Sequence, residues 1–155
     1  YHHAEYSDFQ EGPCWTGTPW QTDQPDPYEN GDGTCDRSGG MVSGNPENVL
    51  SLSANQQFQI AEGYGAFVHG EYTFIDERMT DVNNDPVKLD GSYYVVNLRS
   101  GVLFERYETT LTFWGRNVFD SEATSTIADA VAQDGRFIAY YNEPATWGIS
   151  VRKDF

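Results

Sequence analysis

Apolar side chains recur at every second position in several stretches of this chain, and that period of two restricts the fold more than any other feature. Around residue 98, Val96, Leu98 and Val102 alternate with the polar Asn97 and Arg99. Successive side chains of a β-strand point to opposite faces, whereas a helical face would repeat every three to four positions. The 10 Tyr, 9 Phe and 4 Trp also favour strands. The sequence therefore predicts an all-β, antiparallel fold.

The alternating stretches predict six strands, separated by polar segments that contain Gly and Pro. The predicted strands are His3–Gln10 (the end of a strand), Pro46–Phe58, Gly63–Asp76, Ser92–Phe104, Tyr107–Asn117 and Ala145–Phe155. One short helix is expected within Ser125–Gly135, where Thr126 and Asp129 resemble a capping box and the apolar residues have helical spacing.

Long and short connections alternate between these strands. The long ones are Glu11–Asn45, Glu77–Asp90 and Phe119–Glu143, and the short ones lie near Ile60 and Glu105. Ordinary all-β domains mix connection lengths freely. Strict alternation is typical of antiparallel barrels that span a bilayer, with tight turns on one side and long loops on the other.

Charge and composition exclude some classes of protein. The 24 acidic and 9 basic residues give a net charge of −15, which disfavours nucleic acid as a partner. No apolar run approaches the roughly 18–20 residues of a transmembrane helix, but a transmembrane strand needs only about 9–11. The chain starts at Tyr1 without a signal peptide, so it is expected to be mature, trimmed or a fragment.

Two cysteines, Cys14 and Cys35, lie in the first long loop. A disulfide between them would close about 20 residues, fit an oxidising compartment and stabilise the fold by roughly 3 kcal/mol. The alternative is two free surface thiols. The same loop carries Trp15, Trp20 and Tyr28, which are candidates to clasp a ligand such as a siderophore or a sugar. They would otherwise pack within the loop.

Catalytic constellations and phosphate-binding loops are not found in the sequence, so neither an enzymatic activity nor a resident cofactor is expected. Asp81, Asn83 and Asp85 alternate oxygen ligands as a calcium loop does, but without the Gly and the distant Glu of an EF-hand. They form either a calcium site or a solvated hairpin tip.

Each predicted strand has one apolar face, with aromatic residues concentrated near its ends, and one face of small polar groups with isolated charges. The charged or hydrogen-bonding residues expected on the polar face, and hence in a barrel lumen, are His69, Glu71, Asn97, Arg99, Arg116 and Arg152. Aromatic side chains that bracket an apolar face match the two girdles of an outer-membrane barrel. Aromatic strand ends that pack a soluble core would give the same pattern.

Several motifs occur in a recognisable order. They are Tyr6–Gln10, the Cys14–Cys35 loop, Asn97-Leu98-Arg99 with Gly101, Trp114–Asp120 and the terminal Glu143–Phe155. Together they resemble the C-terminal end of a TonB-dependent outer-membrane receptor. In that family, a final strand with alternate apolar residues and a terminal aromatic is read by the outer-membrane assembly machinery. Here those residues would be Trp147, Ile149, Val151 and Phe155.

The resemblance implies that residues 1–155 are about six C-terminal strands of a larger transmembrane barrel. Six strands cannot close a filled barrel, and family members have 22. The plug domain and the preceding strands would then be absent from this chain and would be its partners, on the same or a split polypeptide. TonB would act through that plug.

The family also implies a location in the outer membrane of a Gram-negative bacterium, with a periplasmic C-terminus and extracellular long loops. The expected function is a share in the uptake of a scarce ligand, such as a ferric siderophore. A second hypothesis is a secreted, disulfide-bearing β-sandwich that binds carbohydrate through Trp15, Trp20 and Tyr28.

Overall fold

The computed structural model describes residues 2–15, 26–131, 133 and 136–154, which form two compact units. The loop unit comprises the described residues of Tyr1–Asn48, Asp76–Ser92 and Ala123–Asn142. The sheet unit comprises those of Val49–Ile75, Tyr93–Glu122 and Glu143–Phe155. Trp20 and Phe155, two of the predicted functional residues, lie outside the described residues.

Within the described residues, the structure is all-β apart from two short 3₁₀ helices, Pro86–Lys88 and Glu105–Tyr107. The strands are β1 (Gly12–Pro13), β2 (Thr34–Cys35), β3 (Val49–Ala61), β4 (Tyr64–Ile75), β5 (Arg78–Met79), β6 (Leu89–Asp90), β7 (Tyr93–Phe104), β8 (Thr109–Arg116), β9 (Thr124–Asp129), β10 (Phe137–Tyr141) and β11 (Thr146–Lys153). Across the described ranges, no helix is long and apolar enough to cross a membrane.

The sheet unit is one five-stranded antiparallel sheet in the order β11-β8-β7-β4-β3. Its sequence neighbours β3 and β4 are joined by a tight turn at Gly63, whose φ of 78° suits glycine. The turn from β7 to β8 ends at Glu108 in the left-handed region. The sheet does not close on itself, and β3 and β11 are its edges in the described part of the chain.

One face of this sheet is apolar across all five strands, because the register aligns the alternating positions of neighbouring strands. Its larger members are Leu50, Leu52, Phe58, Tyr64, Val68, Tyr72, Phe74, Tyr94, Val96, Leu98, Val102, Phe104, Leu111, Phe113, Trp147, Ile149 and Val151. Many of them are exposed: Leu52 shows 58% of its surface and Ile149 70%. Among the described residues, the almost completely buried apolar side chains, Cys35, Met79 and Ala123, all belong to the loop unit.

Five of the six predicted strands are confirmed, with their ends shifted by at most three residues. The first prediction, His3–Gln10, is wrong. That segment contains only an isolated bridge between Glu5 and Met41 and scattered backbone hydrogen bonds, such as Tyr6 N–H to Gly40 O at 3.0 Å. Alternation with a period of two is weak evidence for a strand over so few residues. The segment pairs irregularly with other loop residues and not along a long strand.

For the described residues of Ser125–Gly135 the predicted helix is also wrong, because Thr124–Asp129 is strand β9, which pairs antiparallel with β10. Ile127 lies opposite Ala139, and Thr126 lies opposite Tyr140. Asp129, taken as the capping residue, instead accepts a hydrogen bond from Lys88 Nζ at 2.7 Å. A local helical pattern of a few residues is outweighed by cross-strand pairing of β-branched and aromatic side chains.

Asn117 connects the ends of several strands within the sheet unit. It has a φ of 46° and is nearly fully buried. Its Nδ2 donates to Ser121 O and to Glu143 O, both at 3.0 Å, and its Oδ1 accepts the Ser121 N–H at 3.0 Å. Its own N–H donates to Asn97 Oδ1 at 3.1 Å. One side-chain amide therefore joins the backbone at Ser121 and at Glu143.

We expect Asn117→Asp to destabilise the protein by about 3 kcal/mol. The substitution keeps the shape, the left-handed tendency and the acceptor, but it removes both donors and places a carboxylate against two carbonyl oxygens. The denaturant midpoint of unfolding measures the effect. Asn55→Asp, on an exposed position of β3, is the matched control. Equal midpoints for the two variants would contradict the structural role of Asn117.

Candidate functional site

The polar face of the sheet unit collects the charged residues that the sequence singled out. The register places His69 opposite Arg99 and Glu71 opposite Asn97 on neighbouring strands. His69 Nε2 lies 3.0 Å from Glu71 Oε1, and Asn97 Nδ2 donates to Glu71 Oε2 at 3.4 Å. Arg116 and Arg152 project from β8 and β11 on the same face. All six predicted polar-face residues therefore share one side of the sheet.

Trp114 also lies on this polar face, on β8 between β7 and β11, and the sequence did not assign it to a site. It pairs with Arg99 on one side and with Gly148 on the other. Its indole lies over Gly148, where an added Cβ would collide with the ring. The Trp114 Nε1 donates to Ser150 Oγ at 3.0 Å, and the Arg116 guanidinium lies 5.5 Å from the ring centroid. The sequence signal that could have indicated Trp114 is an aromatic residue placed between charged residues on a polar face.

The disulfide between Cys14 and Cys35 is confirmed, with a Cα–Cα distance of 5.1 Å and a sequence separation of 21. It anchors a second candidate region, the described part of the first loop. Asp26 organises this region, because its carboxylate accepts the N–H of Trp15 at 3.1 Å and the N–H of Tyr28 at 3.1 Å. The Tyr28 side chain is exposed, and Trp15 is half-buried.

Arg37 is the partner of Asp26, and the two side chains are almost completely buried as an ion pair. Arg37 Nε and Nη2 also donate to Pro13 O at 3.1 and 3.0 Å. Burial acts to raise the pKa of Asp26. The hydrogen bonds from Arg37, Tyr28 and Trp15 outweigh burial and hold that pKa below its usual value. Sequence analysis missed this pair, since no local pattern links residues 26 and 37.

Cys14, Asp26 and Cys35 place ligand-type atoms close together. Both sulfurs are in the disulfide and carry no thiolate, so this grouping does not provide a metal-binding donor set. Asp26 is likewise engaged by Arg37.

The predicted calcium ligands Asp81, Asn83 and Asp85 lie in the connection between β5 and β6. Lys88 Nζ is fully buried there and lies 2.5 Å from Asp81 Oδ2. Asp85 Oδ1 accepts the Val87 N–H at 3.0 Å, and burial raises the pKa of Asp85. These oxygens already have partners within the protein. A calcium site at these residues stays a prediction.

The predicted assembly residues Trp147, Ile149 and Val151 alternate on the outer strand β11 and face the apolar side. All three are more than half exposed, and Trp147 stacks on Phe113 with ring centroids 5.6 Å apart. The arrangement presents a continuous apolar row at one edge of the sheet. Its recognition by an assembly factor stays a prediction.

Comparisons of the chain with protein-family models, curated proteins and solved structures gave no match. Inferences about function therefore depend on the geometry of the sheet and the loops.

The buried Asp26–Arg37 pair predicts a specific pH dependence. Because the folded pKa of Asp26 lies below its unfolded value of about 3.9, the pair stabilises the fold above that pH. This stability is lost as the pH falls through the folded pKa. At neutral pH, Asp26→Asn leaves Arg37 buried without its counter-charge and should cost about 3 kcal/mol.

The measurement is the difference in thermal unfolding midpoint between wild type and Asp26→Asn at pH values from 7 to 2. Near-ultraviolet circular dichroism monitors the unfolding. We expect that difference to be largest at neutral pH and to shrink in acid. Asp8→Asn, at an exposed carboxylate, is the control and should leave the midpoint unchanged. A difference that stays constant over the whole pH range would refute the assignment.

Proposed function

We propose that this chain forms part of the barrel wall of a TonB-dependent outer-membrane transporter that takes up a scarce ligand, such as a ferric siderophore. The carrying observation is the five-stranded sheet, which exposes a broad apolar face on one side and a charged, hydrogen-bonding face on the other. A wall between lipid and a water-filled lumen requires that division.

The exposed apolar face is too extensive for an isolated soluble domain. Removal of apolar surface from water contributes about 25 cal/mol per Å² to stability. An apolar face that stays in water gives up this contribution. Contiguous apolar patches larger than a few hundred Å² mark interaction or membrane surfaces. Leu52, Val68, Leu111, Ile149 and Val151 belong to this face on four strands and are all exposed. Lipid is the occupant that we propose for it.

Aromatic pairs bracket the apolar face at a spacing that supports this orientation. Tyr64 pairs with Phe104 near the short turns, and Phe74 pairs with Tyr94 at the other end. The two pairs are ten residues apart, or about 33 Å along the strands. With the roughly 40° tilt of barrel strands, that length spans about 25 Å of membrane, the height of the apolar band in outer-membrane barrels.

The connections fit the same orientation. The turns from β3 to β4 and from β7 to β8 are short, whereas the connections from β4 to β7 and from β8 to β11 are long and contribute to the loop unit. In the proposed orientation the short turns and the end of β11 are periplasmic, and the long loops are extracellular. The loops would contact the ligand, without covalent catalysis.

The two edges of the sheet indicate what completes the wall. On their outer sides, β3 and β11 have no hydrogen-bonded strand among the described residues. Unpaired edges are costly in lipid, where water cannot satisfy the backbone. We propose that further barrel strands pair with both edges. A plug that contacts TonB would then supply the energy coupling for ligand uptake.

The carbohydrate-binding sandwich is less well supported. A sandwich needs a second sheet of comparable size packed over the apolar face. The other sheets in the described ranges have two strands each. Tyr28 is exposed and available to a ligand, but no observation points specifically to a sugar.

Single cysteines on opposite faces of β11 test the membrane orientation. Ile149→Cys lies on the apolar face, and Ser150→Cys is its neighbour on the polar face. In native membranes, we expect a charged, water-soluble maleimide to label Ser150→Cys and to leave Ile149→Cys largely unmodified.

Denatured samples of both variants provide the control, because each cysteine should then react fully. The native pair Cys14–Cys35 is disulfide-bonded and does not compete for the reagent. Equal labelling of both positions by the water-soluble reagent, or recovery of the protein without membranes, would rule out the proposed function.

A further inference from the structure

We propose that Arg99, Arg116 and Arg152, arranged around Trp114, bind a small molecule that carries at least two carboxylate or phosphate groups. The inference rests on the proposed function, because a water-filled space must then lie against the polar face of the sheet. It adds a ligand class that the transporter assignment leaves open.

A groove of about 380 Å³ connects these residues on three adjacent strands, β7, β8 and β11. Trp114 is held over Gly148 and bonded to Ser150, so its ring presents a fixed surface. The Arg116 guanidinium lies beside that ring at 5.5 Å from its centroid. An aromatic surface next to a guanidinium limits the freedom of the arginine and favours bidentate contacts with oxyanions.

The charge of the groove is opposite to that of the chain. The protein has only 9 basic residues and a net charge of −15, yet three arginines share this groove. Glu71, which interacts electrostatically with Arg99, is itself bonded to His69 and Asn97. Within the described residues, Arg116 forms no ion pair with a carboxylate. Arg152 contacts Asp154 at 2.9 Å, in an exposed pair that a ligand can replace at small cost.

The spacing of the arginines defines the ligand further. Arg116 lies opposite Thr146 on β11, and Arg152 lies six residues after Thr146. The backbone positions of the two arginines are therefore about 20 Å apart along the strands. A single phosphate or carboxylate cannot contact both ends of such a groove. Arg99 and Arg116 flank Trp114 and would hold one anionic group, while Arg152 would hold another. Ser150 and Thr112, which lie between them, offer hydroxyl donors.

Isothermal titration calorimetry of the detergent-purified protein tests the site with tripolyphosphate as an extended probe and inorganic phosphate as a single-group probe. We expect tripolyphosphate to bind at least tenfold more tightly than phosphate. Arg116→Gln should weaken tripolyphosphate binding by about tenfold, since a hydrogen bond to a charged group is lost. Arg116→Lys keeps the charge but not the bidentate geometry and should retain part of the affinity.

Arg106→Gln is the matched control, because it removes the same charge from the exposed turn between β7 and β8. Circular dichroism establishes that each variant keeps its β-structure. Equal weakening by Arg106→Gln and Arg116→Gln would mean that net charge alone attracts the probe, and this would overturn the proposal. Equal affinities for the two probes, or no binding to a folded wild-type protein, would also overturn it.

The labelling of Ile149→Cys and Ser150→Cys separates this failure from that of the transporter assignment. Correct labelling without probe binding would leave the barrel orientation intact and remove the anion site. Incorrect labelling would remove the basis for both proposals, whatever the titration shows.

Discussion

Backbone hydrogen bonds join β3, β4, β7, β8 and β11 into one sheet, and each strand directs apolar side chains to the same side. The sheet has no packed interior of its own among the described residues, because its large apolar residues are exposed or half-exposed. Its stability therefore depends on what contacts that face. A hydrocarbon environment is the solution that we propose, since it removes the apolar surface from water without a second layer of protein.

The same backbone that creates the apolar face creates the candidate site on its other side. Because side chains alternate, a strand that gives Leu98 to one face gives Asn97 and Arg99 to the other. Glycine at position 148 then lets the Trp114 ring lie flat across the neighbouring strand. The proposed anion site thus uses the regular geometry of the sheet, which places charged groups at fixed spacings on rigid elements.

The loop unit is held together differently. It contains one disulfide and two ionic clusters: the buried Asp26 with Arg37, and the buried Lys88 with the partly buried Asp81 and the exposed Asp129. Buried charges of this kind add little net stability compared with apolar packing, but the loss of one partner is costly. They fix specific loop conformations where few apolar residues are available. The lowered pKa of Asp26 makes the Asp26–Arg37 pair sensitive to acid.

The sequence by itself determined the all-β, antiparallel class, five of the strands and the division of each strand into two faces, and it favoured a disulfide between the two cysteines over free thiols. These features follow from alternation and local composition, which do not depend on contacts with distant parts of the chain. Only the tertiary structure decided that β9 and β10 replace the predicted helix and that His3–Gln10 is not a strand. It also decided the pairing of Asp26 with Arg37 and the position of Trp114 over Gly148. Each of these depends on contacts between residues distant in the chain, and the energy of such contacts is not encoded in any local pattern.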